Sequence, residues 1–316
     1  QTTCMSDTAA HHTLVVALQS ERRAVNRLLV SAAGFPSLHF LLAGLSERFK
    51  FTLDSVPLRP GESWVRDEDF IARWQDDVGI ALLTFVTSTA SHRCDVVKLA
   101  AHGRAMGSVV GVDITQGVGV VPFSAAETQV DFVVSTSLKW LCGSSGAGIL
   151  QVAPDLLANC RPALRGWFSQ PNPFSWDLDS FTYAADARRF DHGTPAILAS
   201  VASLPGLQWV EETGIDAIRA RNAVLTGRII GAALDNGWAI RSPLDANERG
   251  GSVMLGLPQG VEAAKLVATL RDERLYCDAR GTTLRLSPGM VTTDAAVEAL
   301  IARLRDQIGS KRRRAS

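Results

Sequence analysis

Short apolar runs alternate with amphipathic stretches from the start of the chain to about residue 155. The apolar runs predict strands at residues 27–31, 51–56, 79–86, 108–113, 131–135 and 148–152. The stretches between them predict helices at residues 8–20, 36–48, 67–74, 96–106 and 124–128. Continuously apolar strands that alternate with helices are typical of a mostly parallel sheet covered on both faces. We therefore expect an α/β fold in this part of the chain.

The pattern changes in the second half of the chain. Residues 155–194 show no period and predict a long irregular segment. Helices are then predicted at 196–212, 215–236, 261–271 and 294–308, and strands at 238–241, 252–257, 275–278 and 283–286. This order predicts a smaller α+β domain. We expect a large domain at 1–198, a small C-terminal domain at 199–309 and a basic disordered tail at 310–316.

Composition narrows the possible functions. The chain has 316 residues, 46% of them hydrophobic, which is enough for a large core, and its formal net charge is zero. A neutral chain gives no electrostatic reason to expect a nucleic acid partner. No apolar stretch is long enough to span a membrane, and no signal peptide is visible. Five cysteines without paired spacing indicate a reducing compartment, so we expect a cytoplasmic protein. The histidines lack metal-ligand spacing, and we expect no metal.

Two charged residues follow predicted strands and suggest chemistry. Asp113 ends the strand predicted at 108–113, and Lys139 comes shortly after the strand predicted at 131–135. In an open α/β sheet, ligands bind at the carboxyl ends of the strands. Pyridoxal phosphate needs a lysine for its Schiff base and an acid that keeps its ring nitrogen protonated. The alternative is an ordinary salt bridge between Asp113 and Lys139 at the edge of the sheet.

Both residues lie in longer sequence patterns. An Asp-x-x-Gln pattern begins at Asp113, and a Lys-Trp-Leu-x-Gly pattern begins at Lys139. With these patterns the chain resembles the class V aminotransferase family of fold type I pyridoxal phosphate enzymes along nearly its whole length. The Phe-Pro-Ser run at Phe35 and the Cys-Asp-Ala-Arg run at Cys277 resemble the kynureninase branch. The resemblance implies a mostly parallel sheet of the seven-stranded type, an amino acid substrate and a homodimer.

The resemblance also implies roles for individual residues. Lys139 would hold the cofactor as a Schiff base and, once freed, move the Cα proton, while Asp113 would pair with the pyridinium nitrogen. The positions that match cofactor-binding residues of the family are Thr8, Ala9, Phe35, Thr84, Asp113, Gln116, Lys139, Trp167 and Thr194. In a kynureninase, water then cleaves the Cβ–Cγ bond of the substrate and releases alanine and an aromatic acid.

Several of these positions also have an ordinary structural explanation. In the family, Thr8 matches the cofactor phosphate site, but it could equally cap a helix. Phe35 matches a residue that stacks on the pyridine ring, and both it and Trp167 could instead be core residues. Thr84 could be a solvent-facing hydroxyl. Thr194 matches a segment that family dimers donate to the neighbouring subunit's phosphate, and it could also belong to an ordinary turn.

Arg285 is a cation on an otherwise apolar predicted strand. Such an arginine is seldom buried without an anionic partner. In the family, the matching arginine binds the substrate α-carboxylate through two parallel hydrogen bonds. A structural bridge to Asp278 or Asp294 is the competing interpretation.

The chain departs from the kynureninase pattern at three positions. Gln116 stands where kynureninases carry histidine, Leu138 where they carry tyrosine, and Leu38 where aspartate is common. These differences leave open another class V reaction, such as transamination, epimerisation or C–S lysis. Cys277 is the thiol that a desulfurase would require, and we expect it to be buried and inert. The chain opens on Gln1, where relatives have a substantial preceding segment, so an inactive truncated homologue is a further hypothesis.

Overall fold

The computed structural model describes residues 2–4, 9–12, 15, 18 and 26–312. The first half of the chain forms a seven-stranded sheet of order β1-β7-β6-β5-β4-β2-β3. Its strands are β1 (Thr2–Cys4), β2 (Arg27–Ser31), β3 (Thr52–Val56), β4 (Val78–Thr84), β5 (Val109–Asp113), β6 (Phe132–Thr136) and β7 (Gly148–Val152). Neighbouring strands from β3 to β6 pair in parallel, whereas β7 pairs antiparallel with both β6 and β1. The expected mostly parallel α/β sheet is confirmed.

Helices cover this sheet on both faces. They are α1 (Pro36–Phe49), α2 (Asp67–Arg73), α3 (Val96–Met106), α4 (Ala125–Thr128) and α5 (Pro154–Asn159). Helix α3 begins where the Asp95 side chain accepts a hydrogen bond from the Lys98 amide, and it ends at Gly107, whose φ is 72°. Local sequence therefore fixes both ends of this helix, and its predicted bounds were correct.

The core explains why the strands are apolar throughout. In β4, Ala81 and Leu83 pack into one buried cluster with residues of α2 and α3, while Ile80 and Leu82 pack into another with residues of α1. Successive side chains point to opposite faces of a strand, so a sheet covered on both sides buries every position. Gly111 in β5 is required by close packing, because a Cβ there would lie 2.0 Å from the ring of Phe132.

The second half of the chain forms a four-stranded antiparallel sheet of order β10-β11-β9-β8. Its strands are β8 (Ala239–Ile240), β9 (Val253–Gly256), β10 (Asp278–Arg280) and β11 (Thr283–Leu286). Four helices accompany it: α6 (Ile197–Thr213), α7 (Ile215–Asp235), α8 (Ala263–Asp272) and α9 (Asp294–Arg312). A separate hydrophobic cluster joins α7, α8 and α9 to this sheet. The predicted domain division between residues 198 and 199 stays a prediction.

Three details differ from the predicted pattern. The strand predicted at 275–278 begins only at Asp278, because the chain leaves α8 through a turn in which Arg274 has a φ of 63°. Strand β1 was not predicted, since three residues are too few to show a period. Helix α5 falls within the segment predicted to be irregular, and it has no buried residue that could produce a helical pattern. Among the described residues, no helix is both long and apolar enough to cross a membrane.

Candidate active site

The carboxyl ends of β4, β5 and β6 converge on one edge of the large sheet. Thr84 and Asp113 are paired positions at the ends of the neighbouring parallel strands β4 and β5. Asp113 is also paired with Val134 of β6, the strand that leads into the turn holding Lys139. The topology therefore brings Thr84, Asp113 and Lys139 to the edge where open α/β sheets bind ligands.

Asp113 is a buried carboxylate, 8% exposed. Its Oδ1 atom accepts a hydrogen bond of 2.8 Å from the Thr115 amide, which fixes the orientation of the carboxylate. The Thr115 hydroxyl is buried and has no hydrogen-bond partner among the described residues. A buried polar atom without a partner costs free energy, so this edge of the sheet contains a hydroxyl that a polar ligand could satisfy.

Lys139 lies exposed in the turn after β6. Its amine makes no hydrogen bond or ion pair with any described residue, so the alternative of an Asp113–Lys139 salt bridge is not formed. The turn packs closely against Gly119, whose φ is 92° and whose added Cβ would lie 2.7 Å from the Trp140 carbonyl group. Glycine at position 119 thus allows the lysine turn to approach the segment after β5.

Lys139, Gln116 and Arg285 line one cavity of about 410 Å³. Gln116 follows β5, and Arg285 comes from β11 of the small sheet. The remaining walls are mostly apolar side chains from α6, α7 and neighbouring loops, namely Val120, Trp140, Trp209, Ile218, Leu225, Pro288, Met290 and Val291. An amine and a guanidinium in an apolar cavity suit a ligand that carries a carboxylate and a hydrophobic portion.

Sequence patterns did not indicate which residues close this cavity. Asn222 of α7 is 3% exposed and donates hydrogen bonds of 2.9 Å to the Gly251 carbonyl and 3.0 Å to the Pro288 carbonyl. Arg221 also lines the cavity and donates a hydrogen bond of 2.5 Å to Asp294. These residues look like ordinary polar positions of an amphipathic helix, and only long-range packing brings them to the site.

Arg285 forms one of the two bridges that the sequence allowed. Its Nε and Nη2 atoms donate hydrogen bonds of 2.7 and 2.6 Å to the two carboxylate oxygens of Asp278. Asp294 instead pairs with Arg221 and Arg228. The structural bridge to Asp278 therefore exists, although Arg285 also lines the cavity with Lys139.

Several predicted positions do not line this cavity, namely Asp113, Phe35, Thr84, Trp167 and Thr194. Phe35 precedes α1 and is 38% exposed, and Thr84 lines a separate small pocket. Trp167 lies in a 3₁₀ turn, with its ring centroid 5.9 Å from that of Phe174 in an edge-on contact. Thr194 is exposed. Their roles toward a cofactor stay predictions.

The predicted phosphate-binding pair lies at the start of the chain. Ala9 is in a short helical stretch and is half-buried. Thr8 lies outside the described residues. The role of this pair also stays a prediction.

Two cysteines lie near the site, and both thiols are harder to ionise than usual. Burial, followed by the nearby charge of Asp278, raises the pKa of Cys277 to about 11. A thiol with this pKa is protonated at neutral pH, which supports the expectation that Cys277 is inert. Cys277 is half-buried, however, so the expectation that it is fully buried was wrong. Cys142 was not predicted. It lines the cavity and is exposed, its Sγ atom lies 3.2 Å from the Met290 Sδ atom, and partial burial of the thiol raises its pKa.

The residues at this edge fit pyridoxal phosphate. The cofactor requires an amine free to attach it and an acid at its ring nitrogen. Lys139 supplies an amine that has no partner among the described residues, and Asp113 supplies a buried and oriented carboxylate at the end of the adjacent strand.

Comparisons with known proteins agree with this fit. The aminotransferase class-V family matches residues 2–295. A kynureninase of Bacillus thuringiensis is 29% identical over 240 residues, which are 74% of this chain and 55% of that protein. The chain thus spans about half the length of this curated relative.

Solved structures show the same fold. The apo cysteine desulfurase of Thermococcus onnurineus has a TM-score of 0.87 at 16% identity, covering 98% of this chain and 79% of that chain. A C-DES variant with glycine covalently linked to its PLP cofactor has a TM-score of 0.87 at 17% identity, covering 97% of this chain and 80% of that chain. Pyridoxal phosphate is the cofactor of the family that these comparisons identify.

Proposed function

Because the chain belongs to the class V aminotransferase family, we propose that it is a pyridoxal phosphate enzyme that hydrolyses the Cβ–Cγ bond of a kynurenine-like amino acid. The observation that carries the proposal is the cavity that Lys139 and Arg285 line together, where the Lys139 amine has no hydrogen-bond or ion-pair partner among the described residues. Asp113 does not line this cavity, but it ends the strand that pairs with β6, which leads into the turn of Lys139. The similarity to kynureninases supports the choice of reaction. When bound, the cofactor supplies an electron sink for a carbanion at the substrate Cα.

Lys139 attaches the cofactor and then acts as a base. Its amine has no competing partner among the described residues, so it is available for covalent attachment and for exchange with the substrate amine. Released from the cofactor, the Nζ atom takes the Cα proton and can return a proton to the product. The flexible lysine side chain and its exposed position in the turn allow both movements.

Asp113 maintains the protonated state of the cofactor ring nitrogen. A buried carboxylate next to a cationic nitrogen favours the proton on that nitrogen, because their attraction is strong where water is excluded.

Arg285 and the apolar walls orient the substrate. The guanidinium binds the α-carboxylate, and side chains such as Trp140 and Trp209 contact the aromatic portion. Water then adds its hydroxyl to the Cγ carbonyl carbon while Cβ gains a proton. The products are alanine and an aromatic acid.

The proposal includes a homodimer that works in the cytoplasm. The segment 164–204 exposes large apolar side chains, including Trp176 at 89%, Leu178 at 94% and Leu198 at 86%. Exposed apolar surface of this kind is typical of a protein–protein interface. Thr194 is exposed within the same segment, as a residue donated to a neighbouring subunit should be.

A different class V reaction is the second proposal. Leu138 is 47% exposed beside Lys139 and has no hydroxyl to assist proton transfer, while Gln116 lines the cavity where kynureninases carry histidine. These side chains are compatible with transamination, epimerisation or C–S lysis, which keep the roles of Lys139 and Asp113 unchanged.

Visible absorption of the protein mixed with pyridoxal phosphate tests the cofactor site. The wild type and the matched control Lys265→Ala, an exposed lysine in α8, should develop the cofactor band. Lys139→Ala should not. Incubation with L-kynurenine should then yield alanine and 2-aminobenzoate in equal amounts from the wild type and from Lys265→Ala, but not from Lys139→Ala.

The outcomes separate the two proposals. A band of equal strength in Lys139→Ala would refute the assignment of Lys139. A normal band without cleavage of L-kynurenine would reject the hydrolysis. Assays of other amino acids for 2-oxo acid, for racemisation and for sulfide would then identify the reaction.

A further inference from the structure

Arg285 and Asp278 face each other across the antiparallel pair of β10 and β11. They are directly paired positions in the register of these strands. The side chain of Arg285 is 16% exposed and that of Asp278 is 46% exposed. A cross-strand pair in this arrangement forms with little distortion of either strand, and both of its hydrogen bonds are short.

The ion pair uses only one edge of the guanidinium. Arginine has five N–H donors, and Asp278 accepts one hydrogen from Nε and one from Nη2. Nη1 has no hydrogen-bond partner among the described residues. The edge formed by Nη1 and the second hydrogen of Nη2 is therefore available, and it can hold another carboxylate through two parallel bonds.

The second edge of the Arg285 guanidinium could bind a ligand in the cavity. Arg285 lines the cavity that also contains Lys139, whereas Asp278 is not among the residues that line it. Asp278 thus binds the Arg285 side chain from outside the cavity. An arginine side chain loses much rotamer entropy when it is fixed, and an ion pair formed before the ligand arrives reduces the entropy lost on binding.

We propose that Asp278 is a positioning residue that fixes Arg285 so that its second edge binds the α-carboxylate of the substrate. This inference rests on the proposed function only in requiring an amino acid substrate. It predicts that Asp278 contributes to the selection of amino acids over simple amines, although it does not touch them.

Calorimetric titration of the protein with pyridoxal phosphate present tests this role. The two probes are L-alanine and ethylamine, which differ only by the carboxylate. The wild type should bind alanine more tightly than ethylamine, and Asp278→Ala should reduce this preference about tenfold, equivalent to about 1.4 kcal/mol. Asp278→Asn retains one acceptor oxygen, so it should reduce the preference for alanine by a smaller factor than Asp278→Ala does.

Two controls complete the experiment. Asp272→Asn changes an exposed carboxylate in the same part of the chain and should leave the preference unchanged. Arg285→Ala should abolish the preference while ethylamine still binds. Far-ultraviolet circular dichroism verifies that each variant is folded.

Each other outcome overturns the inference. An unchanged or larger preference in Asp278→Ala would mean that Asp278 has no role or competes with the substrate. An equal loss of both probes would indicate a purely structural role. A wild type without preference would show that Arg285 does not bind the carboxylate. Failure of the proposed hydrolysis is separate, because a protein that selects alanine but leaves L-kynurenine intact retains the role of Asp278.

Discussion

Replacement of Gly119 by alanine tests how the lysine turn is held. Gly119 has a φ of 92°, and a Cβ added there would lie 2.7 Å from the carbonyl carbon and oxygen of Trp140. The left-handed backbone costs an L-residue roughly 1–2 kcal/mol. Relief of the backbone clash costs about 1–3 kcal/mol more, as in other overpacked sites. We therefore expect Gly119→Ala to lower the free energy of unfolding by about 2–5 kcal/mol.

Relief of this clash should also displace Lys139, and a cofactor assay can detect that displacement. The contacted atoms belong to the residue after Lys139, so relief of the clash moves the lysine turn away from the end of β5. Denaturant unfolding measures the stability, and the cofactor absorption band measures the position of the lysine. Gly119→Ala should lose part of this band even at temperatures where it is fully folded.

A matched glycine separates this effect from a general loss of glycine. Gly227 in α7 has nothing within 4 Å of an added Cβ. Alanine there should stabilise the protein by roughly 0.5–1 kcal/mol, because alanine favours the helix. If Gly119→Ala were as stable as the wild type and bound the cofactor normally, the close approach of Gly119 to the lysine turn would be wrong.

Three further predictions concern stability and reactivity. Burial alone would raise the pKa of Asp54, but hydrogen bonds from Arg27 and Arg73 outweigh burial and lower the pKa. The ionised Asp54 therefore stabilises the folded protein fully at neutral pH, and this stabilisation is lost as the pH falls below about 4. Asp54→Asn should therefore narrow the difference in melting temperature between pH 7 and pH 3, and an unchanged difference would contradict this. Phe132→Ala should lower the free energy of unfolding, measured in urea, by about 3–5 kcal/mol, because Phe132 is 1% exposed. A decrease of less than about 1 kcal/mol would contradict the close packing of Phe132. Iodoacetamide should label the exposed Cys142 before the buried Cys94, as mass spectrometry can measure, and cofactor binding should slow the reaction at Cys142; labelling of Cys94 first would contradict the burial pattern.

The large sheet could be predicted from sequence because its strands are buried on both faces. Runs such as residues 108–113 are apolar throughout, and the observed strand Val109–Asp113 begins within a residue of the predicted start. The three-residue strand Thr2–Cys4 and the helix Pro154–Asn159 could not be found in this way. The strand has only three residues, too few to show a period, and the helix has no buried residue that could produce one.

The candidate site was predictable to the extent that it depends on strand ends. Asp113 and Lys139 follow apolar strands, and their common edge follows from the rules for parallel sheets. The walls of the cavity depend on how α6 and α7 pack against the lysine turn, which no local pattern specifies. Trp209 and Ile218 could therefore not be assigned to the site before the fold was known.

The buried amide of Asn222 has a consequence for redesign of the cavity. It ties α7 to the Gly251 and Pro288 carbonyls, so the position of this helix is set by hydrogen bonds as well as by the side chains that face the ligand. Ile218, which lies on the same helix and lines the cavity, is thus a suitable position for changing the size of the accepted side chain. Leu225 also lines the cavity, but it is 1% exposed and belongs to the hydrophobic cluster that joins α7 to the small sheet. If Asn222 is kept, Ile218 can be varied while the hydrogen bonds of Asn222 hold the helix backbone in place.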